Sequence, residues 1–263
     1  MKITENLIWK FQKHLINEEK SNATIDKYLR DVRTFFLWTK GEEIDKQRVL
    51  AYKKHISEGF MPSSVNSIIS SINSFFDFCN QPDMKVKILK IQKQIFRQKD
   101  KELTVEEYRR LLLAAKKRNN RKLYYLMQTI CSCGIRVSEL KFITVQALKE
   151  RQTVIKCKGK MRLVMIPDKL CRVLLGYTKQ EGIYCGSVFV TKSGKPLDRS
   201  AIWKMMKTLC ESAGVERGKV FPHNLRHLFA RTFYSLEKDI VRLADILGHS
   251  SINTTRIYTM EAV

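Results

Sequence analysis

Through its N-terminal third the chain places apolar residues three and four positions apart, the spacing that lines one face of an α-helix. Leu7, Ile8, Phe11, Leu15 and Ile16 recur in this way and predict a first amphipathic helix. Ser21-Asn-Ala-Thr24 is a run of cap-forming residues, and it opens a second helix carrying Ile25, Tyr28, Leu29, Val32, Phe35, Phe36 and Trp38. Val49, Tyr52 and Ile56 suggest a third. After the breaker Gly59-Phe-Met-Pro62, Ser63 or Ser64 is placed to cap a fourth, with Val65, Ile68, Ile69, Ile72, Phe75, Phe76 and Phe78 as its apolar positions. No repeat period is evident. The expectation is a compact helical module.

Residues 84–101, MKVKILKIQKQIFRQKDK, break that pattern. Lys85, Lys87, Lys90, Lys93, Arg97, Lys99 and Lys101 are opposed only by Asp100, so the run is either a solvated linker or a strap lying along a phosphate backbone. The expected domains are 1–98 and 99–263. The second opens at Thr104-Val-Glu-Glu107, a capping box ahead of Tyr108, Leu111, Leu112 and Leu113. A helix from Leu123 to Cys133 follows and ends at Gly134, a natural C-cap. The period then changes from 3.6 to 2. Thr153–Cys157 and Arg162–Ile166 read as short strands flanking the hairpin tip Lys158-Gly-Lys160, with Ser187–Val190 as a third strand. From Ser200 the pattern is helical again. The fold class is therefore mainly α: a helical N-terminal domain, then an α+β domain of helices with a small antiparallel sheet.

Composition narrows the partners. In 263 residues, Lys+Arg number 49 against 26 Asp+Glu, a net charge of +23, while 44% hydrophobic residues supply a core. Such a charge favours a polyanion: nucleic acid first, an anionic membrane surface second. No apolar run approaches the roughly 18–20 residues of a transmembrane helix, and charges interrupt any signal-like stretch in MKITENLIWKFQKHL. The seven cysteines are scattered, and Cys131-Ser-Cys133 is poor metal spacing. The chain is expected to be cytoplasmic, with reduced cysteines, no metal and no cofactor.

Candidate chemistry gathers in the second domain. In PHNLRHLFARTFYSL, 222–236, the residues Leu225, Leu228, Phe229, Phe233 and Leu236 form an apolar stripe, with His223 and Arg226 on a shared face beside it. Pro222 suits the first turn of a helix, where free N–H groups favour an anion. Taken alone, His-x-x-Arg is usually a surface pair. Its companions are Arg136 in CGIRVSEL, with Glu139 placed to anchor the guanidinium, the outward lysines of the hairpin, and His249 with Tyr258 nine residues later.

Taken together, these residues resemble the tyrosine recombinase (phage integrase) family, on its Xer-like or mobile-element branch. The motifs "CGIRVSEL", "KCKGKMRLVMIP", "PHNLRHLFA" and "LGHSSINTTRIYTM" stand in order, behind "SNATIDKYLRDVRTFFLWT" and "PSSVNSIISSINSFFDFC", so the resemblance covers the whole chain. It implies a site-specific recombinase that cuts and rejoins DNA through a 3′-phosphotyrosyl link, for element integration or excision or for resolving replicon dimers. Tyr258 is the implied nucleophile, Arg136 and Arg226 the phosphate-binding cations, His249 a phosphate hydrogen bond, His223 a proton-transfer group and Lys158 the general acid. Double-stranded DNA is the implied partner, further basic contacts being Lys85, Lys87, Lys90, Lys93, Arg97, Lys160 and Arg162. The implied assembly is a homo-tetramer, or a hetero-tetramer with a related recombinase, with an accessory DNA-bending or excisionase protein possible and a bacterial cytoplasm as the setting.

Chemistry agrees with that assignment. Attack on a phosphodiester builds charge on the non-bridging oxygens, which fixed guanidinium groups can hold two at a time. A phenol can bond phosphorus and leave again in the reverse step. Two features depart from the family pattern. The hairpin tip is one residue short, which leaves Lys158 and Lys160 as alternatives for the acid, with Lys158 favoured. The chain also closes at Val263, whereas relatives usually continue into a helix that docks on a neighbouring subunit, so that contact is supplied otherwise, the assembly is weaker, or the chain is truncated. Competing readings are a non-enzymatic DNA-binding regulator on the same fold and a type IB topoisomerase-like relaxation activity. The filled catalytic positions weigh against the first, and the N-terminal module against the second.

Overall fold

A computed structural model describes residues 2–91, 101–157, 160–249 and 251–258. The chain divides into two compact units, Met1–Lys93 and Gln94–Val263; the domain boundary expected at 98/99 lies outside the described residues.

The first unit holds α1 (Glu5–Asn17), α2 (Asn22–Trp38), α3 (Lys46–Gly59) and α4 (Pro62–Phe78). Side chains of Thr4, Ser21 and Asp45 accept the free N–H groups that begin the first three. Helix α4 starts differently. Pro62 is its first residue and Met61 its uncapped flank, so Ser63 and Ser64 lie inside the helix instead of capping it. Proline needs no N–H partner and its fixed φ begins the helix early. The periodic residues Ile8, Phe11, Phe35, Val49, Ile69, Phe75 and Phe76 are buried, with the Phe11 and Phe75 rings edge to face at 5.2 Å. Ile16 is the exception, 53% exposed at the end of α1.

The basic run after α4 is fastened down where it is described. Asn73 and Asn66 each exchange two hydrogen bonds with the backbone, at Val86 and Leu89, and Lys53 donates to the Lys87 carbonyl at 2.6 Å. Lys85 pairs with Asp77 at 2.8 Å, while Lys87 and Lys90 are exposed. Lys93, Arg97 and Lys99 lie outside the described residues.

The second unit begins with α5 (Val105–Lys117), opened by the expected Thr104–Glu107 capping box, and α6 (Arg121–Cys133). A 3₁₀ turn (Val137–Phe142) and α7 (Val145–Glu150) lead to β1 (Gln152–Cys157) and β2 (Lys160–Met165). These pair antiparallel from Gln152↔Met165 to Cys157↔Lys160. Helices α8 (Asp168–Gln180), α9 (Arg199–Lys207), α10 (Cys210–Ala213), α11 (Pro222–Glu237), α12 (Ile240–Leu247) and α13 (Ile252–Thr255) follow, and a last 3₁₀ turn spans Arg256–Tyr258.

Among the described residues the third strand expected at Ser187–Val190 does not form. Ser187 bridges Thr144 and Val190 bridges Pro196, each as an isolated pair. Proline has no N–H to extend a ladder, and Val188 and Phe189 are spent filling the core instead. The stripe on α11 also stops short. Leu225, Leu228 and Ala230 are buried, but Leu236 is 77% exposed, because the last turn runs past the layer on which the helix packs. Among the described residues no helix is long and apolar enough to cross a membrane.

Candidate active site

The site lies wholly within the second unit, and a glycine sets its first corner. Gly134 caps α6 at φ 60°, and a Cβ there would meet the Phe229 ring at 2.4 Å. The turn it permits aims its carbonyl inward and brings Arg136 to the start of the following 3₁₀ turn. Arg136 is half-buried. Its backbone N–H donates to Glu139 Oε2 at 2.7 Å and its guanidinium to Oε1 at 3.0 Å, so one carboxylate holds both the backbone and the side chain of Arg136.

Helix α11 contributes the second cation. Arg226 is 1% exposed, which for a guanidinium demands satisfied donors. Nη1 donates to the Gly134 carbonyl at 2.6 Å and Nη2 to the Leu247 carbonyl at 2.6 Å. Two helix C-termini, α6 and α12, thus present carbonyls to one side chain. Burial, with Arg136 and Arg162 nearby, pushes the Arg226 guanidinium down to about 10, leaving it charged at neutral pH.

From Arg226 the contacts run to the end of the chain. Its Nη2 lies 3.1 Å from His249 Nε2, and His249 Nδ1 lies 2.9 Å from the buried Thr255 hydroxyl. Burial first, then Arg226, Arg136, Arg162 and His223, pushes the His249 ring down to about 4. The Tyr258 ring is 5% exposed and packs against two histidines: His249, nearly parallel at 6.4 Å, and His227, edge-on at 5.0 Å. His227 also makes an edge contact with His223 at 4.4 Å. His223 and Arg226 open onto a cleft of about 480 Å³ that Arg136, Arg199 and Trp203 also line.

Arg136, His223, Arg226, His249 and Tyr258 are therefore gathered at one place. Lys158 lies outside the described residues, as does the side chain of Lys160. Arg162, expected among outward DNA contacts, is turned inward: Nη2 donates to Glu139 Oε2 at 2.6 Å and Nη1 to the Ile246 carbonyl. Of the apolar residues in the last segment Leu247 is fully buried, while Ile252 and Ile257 are 47% and 37% exposed, and Thr255 and Tyr258 are buried beside them. Sequence reasoning missed His227, Thr255, Arg199 and Trp203. For His227 a signal existed, since it stands four residues after His223 on the same helix.

This arrangement can hold an anion between Arg136 and Arg226 with an aromatic hydroxyl close by. Residues 101–263 match the model described as "Phage integrase family", and residues 8–81 match "Phage integrase, N-terminal SAM-like domain". Tyrosine recombinase XerD of Halalkalibacterium halodurans is 29% identical over 278 residues, spanning 95% of this chain and 90% of that protein. Tyrosine recombinase XerA of Thermococcus kodakarensis is 29% identical over 266 residues, spanning 98% and 91%. Among solved structures, the XerH site-specific recombinase bound to palindromic difH substrate superposes with a TM-score of 0.74 at 22% identity, covering 97% of this chain and 80% of that one. A lambda integrase (75–356) dimer bound to a COC′ core site gives 0.75 at 17%, covering 98% and 95%. At those identities the structural likeness is one of fold.

Proposed function

This chain belongs to the phage integrase family, tyrosine recombinases that cleave and rejoin DNA, and from that premise we propose that Tyr258 is the nucleophile of a site-specific strand exchange. The phenolic oxygen attacks phosphorus, the bond to the 5′ oxygen breaks, and the enzyme is left linked to the 3′ phosphate. The freed 5′-hydroxyl of a partner duplex then attacks that link and expels the phenol. One phosphodiester bond is exchanged for another, so neither ATP nor net hydrolysis is required.

Arg136 and Arg226 hold the non-bridging oxygens, where charge grows in the transition state. Removing one such stabiliser typically costs on the order of 10²–10³ in rate. On DNA the phosphate takes the place of the Arg226–His249 contact, and His249, with its proton then on Nε2 and Nδ1 accepting from the Thr255 hydroxyl, donates to the same phosphate. His223 moves the Tyr258 proton, and a hairpin lysine, Lys158 in preference to Lys160, protonates the departing 5′ oxygen. The observation that carries this reading is the continuous chain of contacts from Arg226 through His249 to the Tyr258 ring.

Double-stranded DNA is the substrate, and four subunits on two paired duplexes are the assembly that strand exchange needs. Lys87 and Lys90, exposed on the first unit, supply sequence-independent phosphate contacts. Integration or excision of a mobile element, or resolution of replicon dimers, is the corresponding biological task. The test is covalent capture on a nicked duplex: trapped protein–DNA adduct supports the reading, and DNA binding without adduct under any site sequence overturns it.

A further inference from the structure

We propose that Arg162 is a positioning residue of the strand-cleavage site, holding β2, the 137–142 turn and the corner after α12 in one arrangement, and that it is not a DNA contact. The proposal rests on the recombinase reading above.

Three observations carry it. The Arg162 side chain is 14% exposed and its Nε is shielded from solvent, which leaves little of the guanidinium to meet a phosphate on the protein surface. Its charge is already engaged. Glu139 is 1% exposed, and its two oxygens are divided: Oε1 receives Arg136 and Oε2 receives Arg162 at 2.6 Å. A carboxylate this buried must be paired, and sharing it ties the position of Arg136 to that of Arg162. Finally, Arg162 spans to a different element. Nη1 donates to the carbonyl of Ile246, and the stem fits against Gly248, where a Cβ would lie 2.6 Å from Arg162 Cδ. Gly248, at φ 62°, is the residue before His249. One side chain therefore fixes the carboxylate that orients Arg136 and the backbone from which His249 projects.

Arg162 is also one of the cations that hold the His249 ring in its neutral form. Lysine at this position keeps the charge but cannot reach the carboxylate and the carbonyl together, because it lacks the rigid fork. Glutamine removes the charge as well.

The experiment compares Arg162→Gln and Arg162→Lys with the parent. The probes are a nicked duplex built on the sequence that the protein selects from a randomised pool, and a duplex of unrelated sequence. At saturating DNA the adduct-forming rate is expected to fall roughly 10²-fold in Arg162→Gln, the scale of a small displacement of reacting groups. The slope of log binding constant against log salt on the unrelated duplex is expected to stay unchanged in both variants. The His249 ring titration in the free protein, followed by NMR, is expected to move up from about 4 in Arg162→Gln and to stay in Arg162→Lys. A slope that loses about 0.9, the signature of one neutralised phosphate, with an unaltered rate at saturation makes Arg162 a DNA contact and overturns the proposal. A parental adduct-forming rate in Arg162→Lys also overturns it, because lysine keeps the charge but cannot hold the carboxylate and the carbonyl together. Absence of adduct in the parent protein instead counts against the recombinase reading, and is distinguishable because the titration needs no DNA.

Discussion

Nη2 of Arg226 and Nε2 of His249 are 3.1 Å apart. A guanidinium has donors only, so Nε2 accepts, and the ring proton sits on Nδ1, where the Thr255 hydroxyl lies 2.9 Å away. Nitrogen-15 NMR of the free protein should therefore find His249 neutral and protonated on Nδ1 at pH 7. Thr255 is fully buried, so Thr255→Val leaves Nδ1–H without an acceptor, a loss of about 1–3 kcal/mol. Mixed tautomers and a slower adduct-forming rate are expected in that variant, with Thr255→Ser close to the parent. An unchanged nitrogen-15 pattern in Thr255→Val refutes the assignment.

Tyr258→Phe should abolish the adduct and leave DNA affinity within about twofold. The hydroxyl is the reacting group, whereas the ring alone makes the packing contacts with His227 and His249. Adduct formation by the parent should also persist in EDTA, since guanidinium groups supply the phosphate-binding charge in this scheme. Adduct surviving in the Phe variant would sink the role given to Tyr258. Dependence on added magnesium would sink the scheme.

Acid should destabilise the free protein through His249. The ring binds a proton near pH 6.5 when unfolded but only near 4 when folded. Between those values the unfolded state binds more protons, so stability falls as pH drops from about 6.5 to about 4 and is unaffected by this group above 7. Denaturant midpoints measured at pH 7.5 and 4.5 should lie closer together in His249→Gln than in the parent. Equal differences in the two proteins contradict the depressed titration.

Periodicity made most of the helices and the hairpin legible in the sequence, though not α7 or α8, and the ordered motifs pointed to five residues that the fold brings together. What they could not show was direction across elements. Arg162 stands in a basic strand and reads as a DNA contact; in the fold it shares the inward face with Val164, and its guanidinium meets the buried Glu139 carboxylate, twenty-three residues away, and the Ile246 carbonyl. In the same way Ile252 and Ile257 carry the hydrophobicity of the last segment, yet burial falls on Thr255 and Tyr258, because polar contacts with His249 and the two ring contacts set the segment's rotation. Leu236 shows the opposite limit: the stripe on α11 is regular, but periodicity does not reveal where the supporting layer ends.

Gly134→Ala should couple stability to catalysis. Two separate penalties act at this position: a left-handed φ of 60°, and a Cβ placed 2.4 Å from Phe229 Cδ1. Each is worth on the order of 1–3 kcal/mol, and together they strain the carbonyl that receives Arg226 Nη1 at 2.6 Å. The single variant should unfold at lower denaturant and form adduct more slowly at saturating DNA. Adding Phe229→Leu gives the new methyl room while leaving the backbone strain, so the double variant should recover part of the stability lost relative to Phe229→Leu alone. Full additivity of the two changes would mean that the ring relaxes freely and that φ alone requires glycine here. Recovery of adduct rate in step with stability identifies the Gly134 carbonyl as the link by which the end of α6 holds Arg226 in place.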